Sequence, residues 1–376
     1  MKKIVTLSLL ASSLLLASGY QIPETSTNAV ALGSANVAHN HGADSAYYNP
    51  ANMSFMENSS FIETDLTYIH LSEVNYKDST TDIDSKGENF FIPTLHYVSN
   101  DIEGYRFGFA MVSPAGLSKR WSDAPASLSA EEFTLKTLEF NPTVSKKLQD
   151  NLSVAFGFRG IYSEGIVKNV AYHMEGDGFD FGYNLAVSYK PKKDLELSAT
   201  YRSMVDLHLK GNAKEKGDVK VSVPIPATLN LAVAYTLPSK TTFEFVYERT
   251  YWSTYDTLDF DFEIAGYEAT LGRPIAKDWD DSDTYRLGIT QIMDEKLTLM
   301  GGFVYDYSPV PKRTLGYELP DTQTTAISFG GRYKLDSKTE VALSTLYSFH
   351  SDRDSETGEF SRGDVLMVSA GVTYKF

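Results

Sequence analysis

The chain has no cysteine in its 376 residues. Disulfides are excluded, and so is a lipoprotein anchor, which needs a modified cysteine. Beyond the first sixteen residues, no apolar run approaches the ~20 residues that a membrane-spanning helix requires. Positive charge is scarce: 34 Lys and Arg stand against 49 Asp and Glu, a formal charge of −15. Nucleic-acid binding needs clustered Lys and Arg, so that class is excluded. Catalytic signatures are missing too. His39 and His41 flank a single residue, which suits neither a helical i,i+4 metal pair nor an H-E-x-x-H motif. No G-x-S-x-G and no Walker loop occurs. A lipid-cutting barrel enzyme would need a Ser beside outward-facing His70 on a neighbouring strand, and none can be placed. Neither an enzyme, a cofactor nor a metal is expected.

What is present is alternation. After about residue 60 the chain reads as roughly fourteen stretches of period-two hydrophobicity. In Val365 to Phe376, the residues Leu366, Val368, Ala370, Val372, Tyr374 and Phe376 share one face, and Ser369, Gly371, Thr373 and Lys375 share the other. The connections are alternately tight and long. That combination marks a transmembrane β-barrel with its apolar face toward lipid. Mean hydropathy is only −0.25, as expected when each strand is half apolar. Aromatic residues are plentiful, with 24 Tyr and 21 Phe. Tyr162, Tyr189, Tyr235, Tyr333, Tyr347 and Tyr374 close strands on the lipid face, where an amphipathic ring suits the headgroup boundary.

The reading gives fourteen antiparallel strands, beginning with Phe61 to Glu73 and ending with Val365 to Phe376. The sixth is placed at Phe179 to Lys190 and the ninth, a long one, at Thr241 to Phe262. Polar turns such as Asp294-Glu295-Lys296 and Asp336-Ser337-Lys338 belong to the periplasmic side. Residues 1–19 read as a signal peptide: Lys2 and Lys3, an apolar core, then Ala17-Ser18-Gly19. Its removal makes the charge −17, two less than −15. Residues 20–58 lack strand alternation and a core of their own, so a compact, partly helical plug inside the barrel is expected, with residues 59–376 forming the barrel. The acidic clusters Asp78, Asp82, Asp84, Glu88 and Asp278, Asp280, Asp281, Asp283 read as solvated loops. The alternatives are divalent-ion bridging to lipopolysaccharide and specific calcium binding, and neither cluster has EF-hand spacing.

Ordered motifs then carry a specific resemblance. Gly19-Tyr20-Gln21-Ile22-Pro23-Glu24-Thr25-Ser26 is followed by Leu32-Gly33-Ser34-Ala35 and Ala43-Asp44-Ser45-Ala46-Tyr47-Tyr48-Asn49-Pro50-Ala51. Ser113-Pro114-Ala115-Gly116-Leu117, Trp121, Trp252-Ser253, Tyr305-Asp306-Tyr307-Ser308-Pro309-Val310-Pro311 and Leu319-Pro320-Asp321 come after. The set resembles the FadL family of outer-membrane channels for long-chain fatty acids and other hydrophobic compounds, over essentially the whole mature chain.

The resemblance implies that Asn49, Pro50 and Ala51 belong to the plug, or hatch; on their own they could equally form a plain turn. It implies that Ser113, Pro114, Ala115 and Gly116 kink the third strand inward and open a lateral gate; the alternative is an ordinary strand end. It implies a capture groove around Leu117, Trp121, Leu128 and Phe133, which could instead pack on one another. Inward Arg159, Arg202, Arg286 and Arg332 can meet a ligand carboxylate or neutralise inward acids such as Glu196, Asp206 and Glu340. The expected function is passive, plug-gated uptake of hydrophobic molecules across the outer membrane of a Gram-negative bacterium, with lateral exit, by a monomer in contact with lipid and lipopolysaccharide. Aromatic hydrocarbons or alkanes are alternative cargoes, and a surface receptor or adhesin is the alternative of another class.

Overall fold

The computed structural model describes residues 19–39 and 41–376; the signal-peptide expectation otherwise lies outside them. Fourteen antiparallel strands form a closed barrel. They are β1 Phe61–Leu71, β2 Glu88–Val98, β3 Tyr105–Val112 with its continuation Gly116–Arg120, β4 Glu132–Gln149, β5 Leu152–Lys168 and β6 His173–Lys192. β7 runs as Leu195–Arg202 and Val205–Asn212, and β8 as Asp218–Ile225 and Thr228–Thr236. The rest are β9 Thr241–Thr250, β10 Ser282–Ile292, β11 Leu297–Asp306, β12 Thr324–Lys334, β13 Thr339–His350 and β14 Val365–Lys375. Closure is made by β1 on β14, from Phe61 opposite Lys375 to Leu71 opposite Val365. No edge is left over at the seam, as a bilayer demands.

Alternation places the side chains as expected. In β14, Val368, Val372 and Tyr374 are exposed, while Met367, Ser369 and Thr373 are buried in the interior. Tyr189, Tyr235, Tyr333 and Tyr347 also stand on the outer face. The tight turns have a local cause. Asp294 accepts from the backbone N–H groups of Lys296 and Leu297 at 2.7 and 2.8 Å. Asp336 does the same for Lys338 and Thr339 at 2.7 and 2.9 Å. Each aspartate holds the reversal together with a backbone bond, Met293 N–H to Leu297 O and Leu335 N–H to Thr339 O, both at 2.9 Å.

Two strand expectations are corrected. The ninth ends at Thr250, where a short turn Trp252–Thr254 breaks it. The chain returns to the sheet at Phe260–Phe262, paired with Val219–Val221 of β8, and both phenylalanines are buried in the apolar cluster beneath the outer loops. The sixth begins at His173, earlier than expected, because β5 and β6 stay paired out to Lys168 opposite His173. Outside, Val74–Lys77, Asp82–Asp84, Arg353–Asp354 and Glu359–Arg362 form a four-stranded sheet over the loops.

The N-terminal segment packs inside the barrel. Helix α1, Thr27–Leu32, starts at Ser26, whose hydroxyl accepts from the Ala29 N–H at 3.1 Å. It stops at Gly33, where φ is +56°. It lies against β11, β12 and β13, and two glycines permit the approach. A Cβ on Gly302 would stand 2.3 Å from the Leu32 carbonyl carbon, and one on Gly330 2.7 Å from the Ala31 Cβ. Helix α2, Ser45–Tyr48, and a 3-10 turn, Pro50–Phe55, complete the segment.

Candidate functional site

Two of the cavities among the described residues lie on either side of the segment that follows Tyr20. The upper one is lined by loop and strand-end residues: Leu117, Phe133, Leu135, Val167, Met174, Leu209, Val221, Tyr255, Leu258, Phe260, Trp279 and Leu319, with Tyr20 at its floor. All but Phe133, which packs against it half-buried, belong to the largest buried apolar cluster among the described residues. Lys277 and Glu318 also line it, paired to each other. Its free volume is about 60 Å³, roughly two waters, so a long chain enters only if the soft loop side chains move apart. Burial raises the Tyr20 and Tyr255 phenols above their ordinary range, so both rings stay neutral and serve as apolar surface with a polar tip.

The floor is made by Tyr20 and the residues that follow it. Tyr20 packs edge-on against Trp252, with centroids 4.8 Å apart, and against Tyr255 at 6.1 Å. Its hydroxyl donates to the Pro224 carbonyl. Gln21, Ile22 and Pro23 continue below and form part of the wall of the lower cavity, beside Pro114, Tyr47, Tyr48, Ile225 and Pro226. Residues 20–23 therefore separate the two spaces.

The lower cavity also touches Arg159, Arg202 and Arg286. Arg159 and Arg202 both clamp Glu139, the first at 3.0 Å. Arg286 reaches Glu248 at 3.0 Å and Glu24 at 3.6 Å. Arg332, apart from the cavity, bonds Glu340, Asn28 at 2.6 Å and Thr373 at 2.6 Å. All four arginines thus meet carboxylates of the protein itself. Of the three acids named from sequence, Glu340 is such a partner, whereas Glu196 is held by His39 at 2.5 Å and Lys190 at 2.6 Å.

The wall beside Pro114 is interrupted. Val112 pairs with Glu139 and Gly116 with Lys136. Ser113, Pro114 and Ala115 therefore oppose only Thr137 and Leu138, which is a β-bulge. The Thr137 hydroxyl fills in, accepting from the Ala115 N–H at 3.1 Å. On its other side β3 pairs with β2 only from Leu95–Met111 to Val98–Gly108. The rest of β2, Glu88 to Thr94, has β1 on one side and no strand on the other. Pro93 sits in that stretch, where its missing N–H is tolerated. The gap is bounded above by Glu88, which accepts from Ser118 at 2.8 Å and pairs with Arg120 at 3.1 Å.

The backbone that β3 withholds from β2 is taken up from within. Ile22 N–H donates to Pro114 O at 2.9 Å, and Gly116 N–H to Tyr20 O at 2.8 Å. Behind the gap lie Ile22, Phe90 and Ile92, all buried in one apolar cluster.

Asn49 is fully buried and donates to Val37 O at 2.7 Å and Ser188 Oγ at 2.9 Å. Its Oδ1 accepts from Ala51 N–H at 3.1 Å, and Pro50 opens the 3-10 turn. Leu117 and Phe133 line the upper cavity. Trp121 lies one layer out, donating to Tyr317 O at 2.9 Å. Leu128 is not brought to them; it stands 51% exposed on the short helix Ala126–Ala130. Sequence reasoning missed the cavity's Tyr255, Phe260 and Trp279. It also missed Glu244, which accepts from the N–H groups of Val37, Ala38 and His39 at 2.7, 2.6 and 3.2 Å.

Comparison with known proteins follows the same lines. Residues 8–375 match the family model described as outer membrane protein transport protein (OMPP1/FadL/TodX). The long-chain fatty acid transport protein of Salmonella typhi is 22% identical, with 95% of this chain and 94% of the relative covered. Outer membrane protein P1 of Haemophilus influenzae is 23% identical, with 90% and 89% covered. Among solved structures, a Pseudomonas aeruginosa FadL homologue superposes with a TM-score of 0.84 at 16% identity, covering 95% of this chain and 99% of the other. The Pseudomonas putida toluene transporter TodX gives 0.74 at 16% identity, again with 95% and 99% covered. The chain belongs to the OMPP1/FadL/TodX family of outer-membrane transport proteins.

Proposed function

We propose that the protein admits hydrophobic molecules, long-chain fatty acids or other compounds such as aromatic hydrocarbons, and releases them sideways into the membrane. One observation carries this reading. An apolar cavity under the loops ends on Tyr20, and the same short segment, Tyr20 to Ile22, is hydrogen-bonded to the bulge that interrupts the barrel wall. A molecule that displaces Tyr20 would loosen Ile22 from Pro114 and reach the gap between β2 and β3. It need not cross the arginine-lined part of the interior. The relatives include one named for long-chain fatty acids and one for toluene, which favours hydrophobic cargo without choosing between them.

The hatch body is the fixed part of this device, Asn49-Pro50-Ala51 one of its ties, and residues 20–23 its moving part. Transport is passive and the working unit is a monomer. The test is uptake of a labelled fatty acid and a labelled alkylbenzene by cells carrying the protein or Pro114→Val/Gly116→Val, with barrel folding checked by heat-modifiable gel mobility. Uptake that survives in the folded variant rejects the sideways route. A surface receptor would show binding with no uptake at all.

A further inference from the structure

The upper cavity contains two charged side chains, and they cancel. Lys277, in the loop before β10, is 4% exposed and its ammonium donates to Glu318, in the loop before β12. Its neutral polar groups are also turned inward: the Tyr20 hydroxyl is engaged by Pro224. The Trp279 indole N–H is buried with no hydrogen-bond acceptor. Such a donor suits a π-face or a weak acceptor such as an ester oxygen.

Building on the transport reading above, we propose that this cavity selects uncharged hydrophobic molecules over carboxylates, and that Glu318 is the residue that sets the preference. A carboxylate buried among apolar groups needs a cation. The only cation lining the cavity, among the described residues, is Lys277, and Glu318 already holds it. Burial alone would raise the Glu318 carboxyl, but Lys277 draws it below the ordinary range, so it is ionised at neutral pH. An entering carboxylate must therefore displace Glu318 and leave two like charges beside one lysine. A neutral tail of the same length meets no such cost. Specificity here comes from a repulsive element as much as an attractive one.

The experiment compares methyl laurate with laurate at pH 8, the same chain with and without a charge, by native mass spectrometry of the full-length mature protein in non-ionic detergent. The wild-type protein should favour the ester by about tenfold or more, the ratio that ~1.4 kcal/mol produces. Glu318→Gln releases Lys277, and the ratio should collapse toward one or reverse. Lys277→Met should raise it further, because Glu318 then stands alone. Equal binding of acid and ester by wild type overturns the proposal without needing any variant, as does a ratio unchanged in folded Glu318→Gln. If neither compound binds, the transport reading of this cavity fails and the selectivity falls with it.

Discussion

The lower and upper halves of the barrel interior are held by opposite kinds of force. Below, the hatch is fixed by directional polar bonds: Glu244 to three successive backbone N–H groups, Asn49 to Ser188, Arg332 to Asn28 and Arg286 to Gly33. Above, Tyr20, Leu117, Phe260, Trp279 and Leu319 meet through apolar and ring contacts, with few bonds that fix orientation. Unpaired polar groups are costly to bury, so the lower half resists rearrangement. Apolar contacts are non-directional and can be exchanged for a ligand's own surface. The difference assigns permanence to the hatch body and adaptability to the lining of the upper cavity, and the chain passes from one regime to the other at residues 20–23.

The largest expected effect comes from breaking the lower half. Glu244→Ala orphans three buried N–H groups, each worth about 1–3 kcal/mol. The hatch should loosen, with faster hydrogen exchange at residues 37–39 and added ion conductance in planar bilayers, while the barrel persists on gels. Conductance equal to wild type would remove Glu244 as an anchor. Next, Phe260→Asp places a charge in the upper cavity. Binding of an apolar probe should fall about tenfold or more; because Phe260 also pairs with Val221 of β8, heat-modifiable gel mobility checks that the variant folds.

A smaller effect sharpens the boundary between the halves. Burial raises the Glu24 carboxyl to about 7, with Arg286 opposing. The folded hatch therefore keeps a proton that the unfolded chain loses near 4.5. Its stabilising contribution is full at low pH and is lost as pH rises through 7. Exchange protection of residues 20–33 should be greater at pH 5.5 than at pH 8, and Glu24→Gln should flatten that dependence. The smallest effect is expected at Leu128→Ser. This exposed side chain lies away from the cavity, so binding and stability should shift by no more than about 0.5 kcal/mol.

The barrel was legible because lipid on one side and a filled lumen on the other impose period two on every strand. The breaks were less so. Leu258 to Phe262 alternates like a strand and Phe260–Phe262 does pair with Val219–Val221 of β8, yet both of its phenylalanines are buried, and alternation cannot tell a lipid-facing side chain from one buried under the outer loops. The Pro-Ala-Gly bulge could be suspected from its residues, but the loss of β2 pairing also needed Pro93, which was read as part of an ordinary strand. The cavity assembles Tyr20, Leu117, Leu209, Phe260, Trp279 and Leu319 from six distant segments, and no local pattern joins them. Glu244 had no signature at all: a carboxylate that accepts backbone N–H groups looks, in sequence, like any inward acid.

On the proposed route, cargo leaves through the wall while the hatch body stays in place. The absence of native cysteine allows a direct test with the pair Ala35→Cys and Gly288→Cys. A Cβ at Gly288 would lie 2.9 Å from that of Ala35, close enough for a disulfide after a small shift. Uptake of a labelled hydrophobic substrate is measured in the oxidised and reduced states of the same folded variant. Equal uptake in both is the predicted result. Loss of uptake on oxidation, restored by reductant, would mean that the plug itself must move and that cargo passes through the lumen.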